Sequence, residues 1–406
     1  MNDRDFMLRA IELARRGEGW VNPNPMVGAV IVKDGRIIGE GWHHRYGELH
    51  AERDALASLT EPAEGATIYV TLEPCCHYGK QPPCTLAIIE HGISRVVIGS
   101  RDPNPKVAGN GVRMLREHGI TVEEDFMRGE CDALSSIFFH YITQGTPYVM
   151  MKYAMTADGK IATRTGASKW ISGEAARQKG HEWRNACMGI MVGIGTVLAD
   201  DPTLNCRIEG GKDPIRIICD SNLRIPENSR IVKTAGEYET IVVCGLPGLP
   251  EGEWGGVSGG VSAKAERLIR AGITVLNVPE SLQYREDAPD AALLEEGPRP
   301  RVSLTKLMKR LGERGIDSIL LEGGGTLNES ALRAGIVQEV KVFVAPKIFG
   351  GKAKTPVEGL GVEDPSEALK MKMESVETVG DDLLISYKVS GTQNKRIGRQ
   401  ICSQGS

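Results

Sequence analysis

Four residues in the first quarter of the sequence have the types and the spacing of a catalytic metal site. His50 and Glu52 are separated by one residue, Cys75 directly follows Pro74, and Cys84 comes after a further loop. One imidazole and two thiolates leave a tetrahedral Zn²⁺ ion with one open position for water. Glu52 is not needed as a ligand, so its carboxylate is free to move protons. The spacing therefore predicts a zinc site that activates water.

Hydrolytic deamination of a pyrimidine needs this combination of groups. A zinc ion with an open position lowers the pKa of bound water and so supplies hydroxide at neutral pH. A neighbouring carboxylate can carry a proton to the ring nitrogen and then to the leaving ammonia. The order His-x-Glu and then Pro-Cys is the signature of zinc deaminases that act on nucleobases. We therefore expect His50, Cys75 and Cys84 to hold zinc and Glu52 to be the proton shuttle.

Two other interpretations of these residues remain open at this point. Cys76 could replace Cys75 as the ligand, although the signature places the ligand directly after Pro74. A closed structural zinc site would leave Glu52 without a purpose, and it would need a fourth ligand, for which the candidates are Cys76, His77, His43 and His44.

Polar residues before and after the first ligand are candidates for substrate contacts. Asn24 lies in the turn Asn-Pro-Asn-Pro at residues 22–25, where its amide could serve ordinary turn chemistry or bind the edge of a ring. His77 and Lys80 lie in the loop between the two cysteines and could hold a phosphate there. The competing interpretation is that both are solvated loop residues.

The second half of the chain contains two motifs that suit a phosphorylated cofactor. Glycines at 323–325 follow the apolar run 319–321 and precede a helical pattern, so that backbone N–H groups could approach a pyrophosphate. Ser221 and Arg224 follow the predicted strand 215–219, and a strand end bearing Ser and Arg suits the 2′-phosphate of NADP. Taken alone, the first could be a tight turn and the second a polar loop.

The remaining pattern predicts a two-domain α/β protein. Apolar strand patterns alternate with helical ones along the chain, Asp34-Gly35 marks a hairpin, and Gly145-Thr146-Pro147 is a plausible joint. We expect domains at 1–146 and 147–390, a polar tail at 391–406, and an exposed loop at 247–260.

Composition excludes several classes of function. The 406 residues carry a net charge of −4 and contain 5% aromatic residues, so there is no broad basic surface for nucleic acid or anionic lipid. No apolar run has the length of a membrane span or of a signal core, and nine cysteines in so long a chain do not indicate a disulfide framework. We expect a cytoplasmic protein that binds neither nucleic acid nor membrane.

The first domain resembles the bifunctional deaminase/reductase family of riboflavin biosynthesis. The resemblance is carried by residues 22–28, 50–52, 73–84 and 101–111. It implies a cytidine-deaminase-like α/β/α sandwich that removes the 2-amino group of a diaminopyrimidinone bearing a phosphoribosylamino group. It assigns the ligand role to His50, Cys75 and Cys84, the proton shuttle to Glu52, and substrate contacts to Asn24, His77 and Lys80.

The second domain resembles the reductase of the same family, which has a dihydrofolate-reductase-like α/β fold. The resemblance implies reduction of the ribosyl group to ribityl with NADPH, and Lys152 acting on the sugar carbon–nitrogen centre with help from Asp200. The implied NADPH contacts, with Arg224 added from its spacing, are Ala154, Trp170, Thr196, Asp200, Ser221, Gly324, Gly325, Thr326, Leu327, Asn328, Glu329 and Ser330. The implied substrate contacts are Ser168, Arg184, Leu204, Arg207 and Glu322. Of these, Arg184 and Arg207 suit a 5′-phosphate, because guanidinium groups bind phosphate through paired donors.

The sequence departs from the family's pattern between residues 245 and 302, which carry no recognisable motif. The family suggests a homo-oligomer, a dimer or tetramer formed through the second domain. Two competing functions remain: a nucleic-acid base deaminase with an appended domain, and a non-enzymatic binding module stabilised by zinc. The first would need a basic, aromatic-lined surface, and the second leaves Glu52 and the glycine loop unexplained.

The Arg224→Ala substitution tests the NADP assignment. We expect it to weaken NADPH binding by about 1.5–3 kcal/mol, the range for a hydrogen bond to a charged group, and to leave NADH binding nearly unchanged, because NADH lacks the 2′-phosphate. Titration of both cofactors against the wild type and the variant measures this. Equal losses for the two cofactors would instead mean that Arg224 supports the fold or the pyrophosphate.

Overall fold

The computed structural model describes residues 1–79, 81–104, 107–254, 262–280 and 300–390. These form two compact units, Met1–Thr146 and a second that begins at Pro147. Lys80, the tail at 391–406 and parts of the motif-free stretch, namely 255–261 and 281–299, lie outside the described residues. None of the described helices has the length and apolar character needed to span a membrane.

The first unit is a mixed sheet with helices packed against it. The strands described are β1 Gly28–Lys33, β2 Arg36–Trp42, β3 Thr67–Leu72, β4 Arg95–Ser100 and β5 Thr121–Glu123, and the helices are α1 Asp3–Arg15, α2 Ala51–Ala57, α3 Cys84–Glu90, α4 Asn110–Glu117, α5 Arg128–Leu134 and α6 Ser136–Gln144. The strand order is β2-β1-β3-β4-β5. Strand β1 is antiparallel to β2 and β3, whereas β3, β4 and β5 run parallel.

The hairpin between β1 and β2 forms where the Asp-Gly pair predicts it. Asp34 has φ 50° and Gly35 has φ 72°, the left-handed conformations that a tight two-residue hairpin turn requires. Residues 28–32 are buried, as expected for a strand covered on both faces.

Glycines of β2 bring α2 unusually close to the sheet. A Cβ atom at Gly41 would lie 2.2 Å from the backbone nitrogen of Ala55, and one at Gly39 would lie 2.6 Å from the carbonyl oxygen of the same residue. Only glycine permits this backbone approach. Because His50 and Glu52 stand at the start of α2, this packing sets their position relative to the sheet.

The second unit is built on a larger sheet, most of which is parallel. Its described strands are β6 Tyr148–Thr156, β7 Gly189–Gly193, β8 Ile215–Cys219, β9 Thr240–Cys244, β10 Gly252–Trp254, β11 Thr274–Asn277, β12 Ser318–Leu321, β13 Glu339–Ala345, β14 Met371–Val379 and β15 Asp382–Val389. Its described helices are α7 Glu174–Ala186, α8 Ile194–Asp200, α9 Arg230–Lys233, α10 Ala263–Arg270, α11 Leu304–Glu313 and α12 Gly325–Arg333.

The strand order of this sheet brings distant motifs to one edge. The order is β10-β11-β9-β8-β7-β12-β6-β13-β15-β14, and β8, β7, β12 and β6 are parallel neighbours. The carboxyl ends of parallel strands meet at the same edge of a sheet, where ligands bind in open α/β folds. The loops after β7, β8 and β12 therefore converge although they are far apart in sequence.

One expectation about this unit is wrong in part. Residues 252–254, expected to lie in an exposed loop, form β10, which pairs antiparallel with β11. Trp254 is only 6% exposed and packs in the core. The glycine- and proline-rich surroundings conceal this strand, because three residues are too few to show a periodic pattern.

The Gly41→Ala substitution tests the close approach of α2. We expect it to destabilise the first unit by about 1–3 kcal/mol, the usual range for overpacking, and to reduce zinc content because the start of α2 must move. Thermal unfolding and metal analysis of the purified protein measure the two effects. The matched control is Gly129→Ala in α5, where a Cβ meets nothing within 4 Å and stability should not fall. Wild-type stability and full zinc content in Gly41→Ala would contradict this role for Gly41.

Candidate active sites

The three expected metal ligands of the first unit converge on one point. His50 is the N-cap residue of α2, Cys75 lies in the loop after β3, and Cys84 is the first residue of α3. Their donor atoms all lie within 4.8 Å of one another, and His50 Nδ1 is 3.5 Å from each of the two sulfur atoms. One imidazole and two thiolates are a donor set that fits zinc with an open fourth position.

The other candidate ligands lie outside this cluster. Among the described residues, the group whose donor atoms come together consists of His50, Cys75 and Cys84. Cys76 and His77 do not belong to it, and neither do His43 and His44. The arrangement therefore favours Cys75 over Cys76, and it does not support a closed four-ligand site.

Glu52 flanks the cluster because the chain enters α2 in an extended conformation. His50 has φ −73° and ψ 158°, so its ring is not held to the helical spacing that would separate it from Glu52 in the first turn. Glu52 is 4% exposed, and its carboxyl group lies close enough to the Cys84 thiol for each to influence the pKa of the other.

The surroundings of this site shift the pKa values of its acidic groups in opposite directions. Burial, reinforced by the nearby Cys75 sulfur, raises the pKa of Glu52 to about 7. A carboxyl group with a pKa near neutrality can both accept and release a proton at working pH. The interaction between the Cys75 and Cys84 sulfur groups lowers the pKa of Cys75 to about 4, with help from the Cys84 backbone N–H at 3.4 Å, and raises the pKa of Cys84 well above its usual range. The two sulfur groups therefore hold one proton between them, which zinc would displace when it binds both as thiolates.

Asn24 is held next to the metal cluster by a histidine whose role the sequence did not reveal. His43 is 3% exposed, and its ring meets the His50 ring edge to face at 5.4 Å. His43 Nδ1 lies 2.8 Å from the carbonyl oxygen of Leu49, so it must donate there, and Nε2 accepts from Asn24 Nδ2 at 3.1 Å. This orientation leaves Asn24 Oδ1 for another partner.

Other polar residues surround the cysteine loop. His77 Nδ1 is buried and has no hydrogen-bond partner within the described chain, whereas Lys80 lies outside the described residues. Asp102 is 8% exposed, and burial raises its pKa to about 6. Sequence reasoning missed Asp102, although it stands inside the family motif at 101–111. Glu73 accepts hydrogen bonds from the backbone N–H groups of Gly109 at 3.0 Å and Val112 at 3.4 Å and so fixes the start of α4 beside this loop.

The second unit brings together a carboxylate and two cations from three elements. Glu322 follows β12, Arg184 lies in α7 and Lys152 lies in β6. Arg184 Nη2 is 2.6 Å and Lys152 Nζ is 3.9 Å from the Glu322 carboxylate. Burial alone would raise the pKa of Glu322, but the charges of Arg184 and Lys152 prevail and lower it to about 2. Glu322 is therefore an anion that orients both cations.

Of the other expected substrate residues, Leu204 and Arg207 lie in the loop after α8, and Ser168 lies between β6 and α7. Arg184 Nη1 donates to the carbonyl oxygen of Asn205 at 3.0 Å and so joins this loop to α7. Arg207 is exposed. Leu204 is 3% exposed, its side chain packs in the core, and its φ is 59°. Any contact of Leu204 with substrate must therefore come from its backbone. Ser168 Oγ donates to Asp200 Oδ1 at 3.4 Å.

Buried polar atoms without partners cluster around Arg184. Four of these atoms in the described chain are His181 Nδ1, Arg184 Nε, Asn205 Oδ1 and Glu322 Oε1. Buried polar groups in folded proteins are nearly always hydrogen-bonded, and exceptions call for an explanation such as a ligand. Sequence reasoning gave no role to His181, which belongs to no motif, or to Asn205, although Asn205 stands between Leu204 and Arg207, two expected substrate contacts.

The start of α12 fits a phosphate group through its backbone. The N–H groups of Gly325, Thr326 and Leu327 have no partner within the helix because they lie in its first turn, and anions bind at such ends. A Cβ at Gly325 would lie 2.5 Å from Cγ of Glu358, and one at Gly324 would lie 4.0 Å from Thr196 Oγ1. Only glycine fits at 325, and Thr196 lies beside the same loop.

The side chains that follow in α12 are engaged in part. Asn328 Nδ2 donates to Pro356 O at 2.8 Å, Glu329 accepts from Arg333 Nε at 2.7 Å, and Ser330 Oγ donates to Thr326 O at 2.9 Å. The buried Oδ1 of Asn328, in contrast, has no hydrogen-bond partner within the described chain. The expected cofactor contacts therefore depend on the first turn of α12 and, among these three side chains, on Asn328 Oδ1.

The remaining expected cofactor residues stand around the same sheet edge or in β6. The Trp170 ring is 62% exposed, and the Arg177 guanidinium lies 4.5 Å from its centroid. Ser221 follows β8, and Arg224 Nε lies 3.7 Å from Asp220 Oδ1 with its side chain 57% exposed. Ala154 of β6 pairs with Phe343 of β13.

Family comparisons match both units. Residues 1–100 match the cytidine and deoxycytidylate deaminase zinc-binding region. Residues 147–247 and 262–385 match the RibD C-terminal domain.

Individual relatives cover nearly the whole chain. It is 49% identical over 390 residues to the riboflavin biosynthesis protein RibD of Actinobacillus pleuropneumoniae, with 96% of each chain covered. It is 36% identical over 398 residues to RibD of Escherichia coli, with 95% of this chain and 99% of the relative covered.

Solved structures show the same two-domain architecture. Acinetobacter baumannii RibD matches with a TM-score of 0.79 at 34% identity, covering 96% of this chain and 99% of the other. The diaminohydroxyphosphoribosylaminopyrimidine deaminase/5-amino-6-(5-phosphoribosylamino)uracil reductase of Thermotoga maritima matches with a TM-score of 0.77 at 38% identity, covering 95% and 98%. These matches confirm the expected fold class, a deaminase-like α/β domain followed by a reductase α/β domain.

The Cys84→Ser substitution tests the ligand set. We expect zinc content and deaminase activity to fall together, because a hydroxyl group is a poor ligand for zinc compared with a thiolate. The matched control is Cys131→Ser, which changes a buried thiol outside the cluster. Metal analysis of both variants measures the effect, and a full complement of zinc in Cys84→Ser would mean that another residue completes the site.

Proposed function

The chain belongs to the RibD family of riboflavin biosynthesis proteins, and on this basis we propose that it is a bifunctional enzyme with one activity in each unit. The first unit deaminates 2,5-diamino-6-(5-phosphoribosylamino)pyrimidin-4(3H)-one with zinc. The second reduces the ribosyl side chain with NADPH and gives 5-amino-6-(5-phosphoribitylamino)uracil. The observation that carries the proposal is that each unit contains its own set of converging polar groups, the Cys75 cluster with Glu52 and the Glu322 cluster with Lys152.

In the deamination, the residues of the first unit bind the ring and move protons. Zinc, which His50, Cys75 and Cys84 would hold, would supply activated water at neutral pH. Glu52 accepts the proton that water loses as its oxygen bonds to the amino-bearing carbon, and passes that proton to the ring nitrogen. Glu52 then takes the remaining proton of the added hydroxyl group and gives it to the amine, which departs as ammonia as the carbonyl forms and the carbon–nitrogen bond breaks. The side-chain oxygen of Asn24, oriented by His43, hydrogen-bonds with the ring.

In the reduction, the residues of the second unit bind the sugar phosphate and deliver a proton. When bound, NADPH would supply a hydride to the sugar carbon attached to nitrogen. The Lys152 ammonium, held 3.9 Å from Glu322 and helped by Asp200, acts at this carbon–nitrogen centre and gives a proton to the ring oxygen of the sugar as its bond to that carbon breaks. Arg207, together with Arg184, whose Nε has no hydrogen-bond partner within the described chain, binds the 5′-phosphate, and the first turn of α12 binds the cofactor pyrophosphate.

Membership of the family also leads us to propose a location in the cell and an oligomeric state. The described cysteines are all free thiols, as is usual for proteins of a reducing compartment, and we place the enzyme in the cytoplasm. We also propose a homo-oligomer, a dimer or tetramer formed through the second unit. Exposed apolar side chains on β14 and β15, including Met373, Val376 and Leu383, support an interface there.

The Glu52→Gln substitution tests the two activities separately. We expect ammonia release from the diaminopyrimidinone to fall by about 10²–10⁴-fold, the usual contribution of general acid–base catalysis, while zinc content stays full. NADPH oxidation with substrate that is already deaminated should continue at the wild-type rate.

The matched control for this experiment is Glu64→Gln, an exposed glutamate of the same unit, which should leave both reactions unchanged. Ammonia release at the wild-type rate from Glu52→Gln would remove Glu52 from the mechanism. A wild-type protein that neither releases ammonia nor oxidises NADPH with these substrates would refute the proposed function itself.

A further inference from the structure

One face of α7 runs between the two binding regions expected in the second unit. Arg177, His181 and Arg184 follow one another at spacings of four and three residues, which places them on the same side of the helix. Arg177 stacks on Trp170, an expected cofactor contact, and Arg184 pairs with Glu322, an expected substrate contact. His181 therefore lies on this face between the cofactor end and the phosphate end.

The same stretch of α7 borders Lys152. A Cβ at Gly180 would lie only 3.8 Å from Lys152 Nζ. His181 also experiences the charges of Arg184, Arg207, Glu322 and Lys152. Its imidazole is thus surrounded by groups assigned to the reductase reaction, although no role has been given to His181 itself.

His181 and Asn205 share an unusual property in this region. Each has a buried side-chain polar atom without a hydrogen-bond partner among the described residues, namely His181 Nδ1 and Asn205 Oδ1. Leaving such an atom unpaired costs about 1–3 kcal/mol, so a partner is expected when the site is in use.

Hydrogen bonds to backbone carbonyl oxygens join the helix that carries His181 to the loop that carries Asn205. The carbonyl oxygen of Asn205 accepts from Arg184 Nη1 at 3.0 Å, and the carbonyl oxygen of His181 accepts from the Cys206 thiol at 3.6 Å. Two hydrogen bonds therefore join the segments on which the two unpaired atoms lie.

The charge state of the pair indicates the chemistry of the missing partner. Burial first, and then the positive charges of Arg184 and Arg207, lower the pKa of His181 below its usual range, so the ring is neutral at neutral pH. A neutral imidazole offers one donor and one acceptor, and an amide oxygen only accepts. A hydroxyl group, which donates and accepts, satisfies both, whereas a phosphate is better matched by guanidinium groups.

We propose that His181 and Asn205 recognise hydroxyl groups of the pentose of the phosphorylated substrate, next to the phosphate that Arg184 and Arg207 bind. This inference rests on the proposed reductase function and adds two substrate-contacting residues to it. It assigns the discrimination between a sugar phosphate and phosphate alone to a neutral pair rather than to the arginines.

The experiment compares two probes that differ only in the sugar. Binding of ribose 5-phosphate and of inorganic phosphate is measured by calorimetry with the full chain and its His181→Ala, His181→Asn and Asn205→Ala variants. We expect ribose 5-phosphate to bind about 5–10-fold more weakly to both alanine variants, the equivalent of one neutral hydrogen bond of about 1–1.4 kcal/mol. Inorganic phosphate binding should stay within about twofold of the wild type, because the arginines are unchanged.

Control variants separate recognition from folding. His181→Asn keeps a polar atom near the position of Nδ1 and should recover part of the lost affinity. Lys179→Ala, on a more exposed side of the same helix, should behave as wild type, and NADPH affinity should be unchanged in every variant. If His181→Ala does not fold, His181→Asn and Asn205→Ala still carry the test.

A direct readout is available because His181 is the only histidine after residue 140. In a histidine-selective NMR spectrum, assigned with the His181→Asn variant, ribose 5-phosphate should shift the His181 resonances and inorganic phosphate should shift them much less. Equal shifts by the two probes would overturn hydroxyl recognition in favour of phosphate binding.

The other outcomes are also decisive. Equal affinity losses for both probes in the alanine variants would mean that the pair supports the phosphate site, and unchanged affinities would mean that it contacts no part of the sugar. Either result overturns the inference while wild-type NADPH oxidation with the deaminated substrate continues. Absence of that oxidation in the wild type would instead refute the proposed function, and the binding comparison would still decide the inference.

Discussion

Burial of a glutamate carboxylate in each unit is the constraint on which both candidate sites depend. Desolvation disfavours the charged form of Glu52 and of Glu322 alike, but their surroundings lead to opposite results. Beside the Cys75 sulfur the pKa of Glu52 rises to about 7. Beside Arg184 and Lys152 the pKa of Glu322 falls to about 2. One carboxylate can therefore exchange protons at neutral pH, while the other remains an anion that orients cations.

The backbone supplies the precision that these carboxylates need. In the first unit, Gly39 and Gly41 of β2 allow the backbone of α2 to pack directly against the strand. This contact limits where the helix that begins after His50 can lie relative to the sheet. In the second unit, parallel pairing of β8, β7, β12 and β6 brings three loop ends to one edge. Catalytic groups on such rigid elements keep their geometry better than groups on loops alone.

Unpaired polar atoms distinguish these sites from the rest of the fold. Arg216, the largest fully buried side chain, satisfies its guanidinium with neutral oxygens such as Thr240 Oγ1 and the carbonyl of Ile231. Around Arg184, in contrast, buried polar atoms remain without partners. The fold supplies hydrogen-bond partners even for the buried guanidinium group of Arg216. The polar atoms that remain unpaired around Arg184 therefore indicate a place where a ligand binds. This contrast is the physical basis for assigning binding roles to the Arg184 region.

The sequence by itself determined the features that depend on local order: the hairpin at Asp34-Gly35, the alternating α/β elements, and the types and spacing of the candidate ligands His50, Cys75 and Cys84. These follow from turn chemistry, periodicity and ligand type, which act over a few residues. The expectation of an exposed loop was wrong at Trp254, because a three-residue strand is too short to show a periodic pattern. Only the tertiary structure decided which acids are buried and beside which charges, how Glu322 meets Arg184 and Lys152, and that His181 and Asn205 each keep a buried polar atom without a partner on two segments joined by hydrogen bonds. Those properties depend on desolvation and on contacts between elements far apart in the chain, which no local pattern specifies.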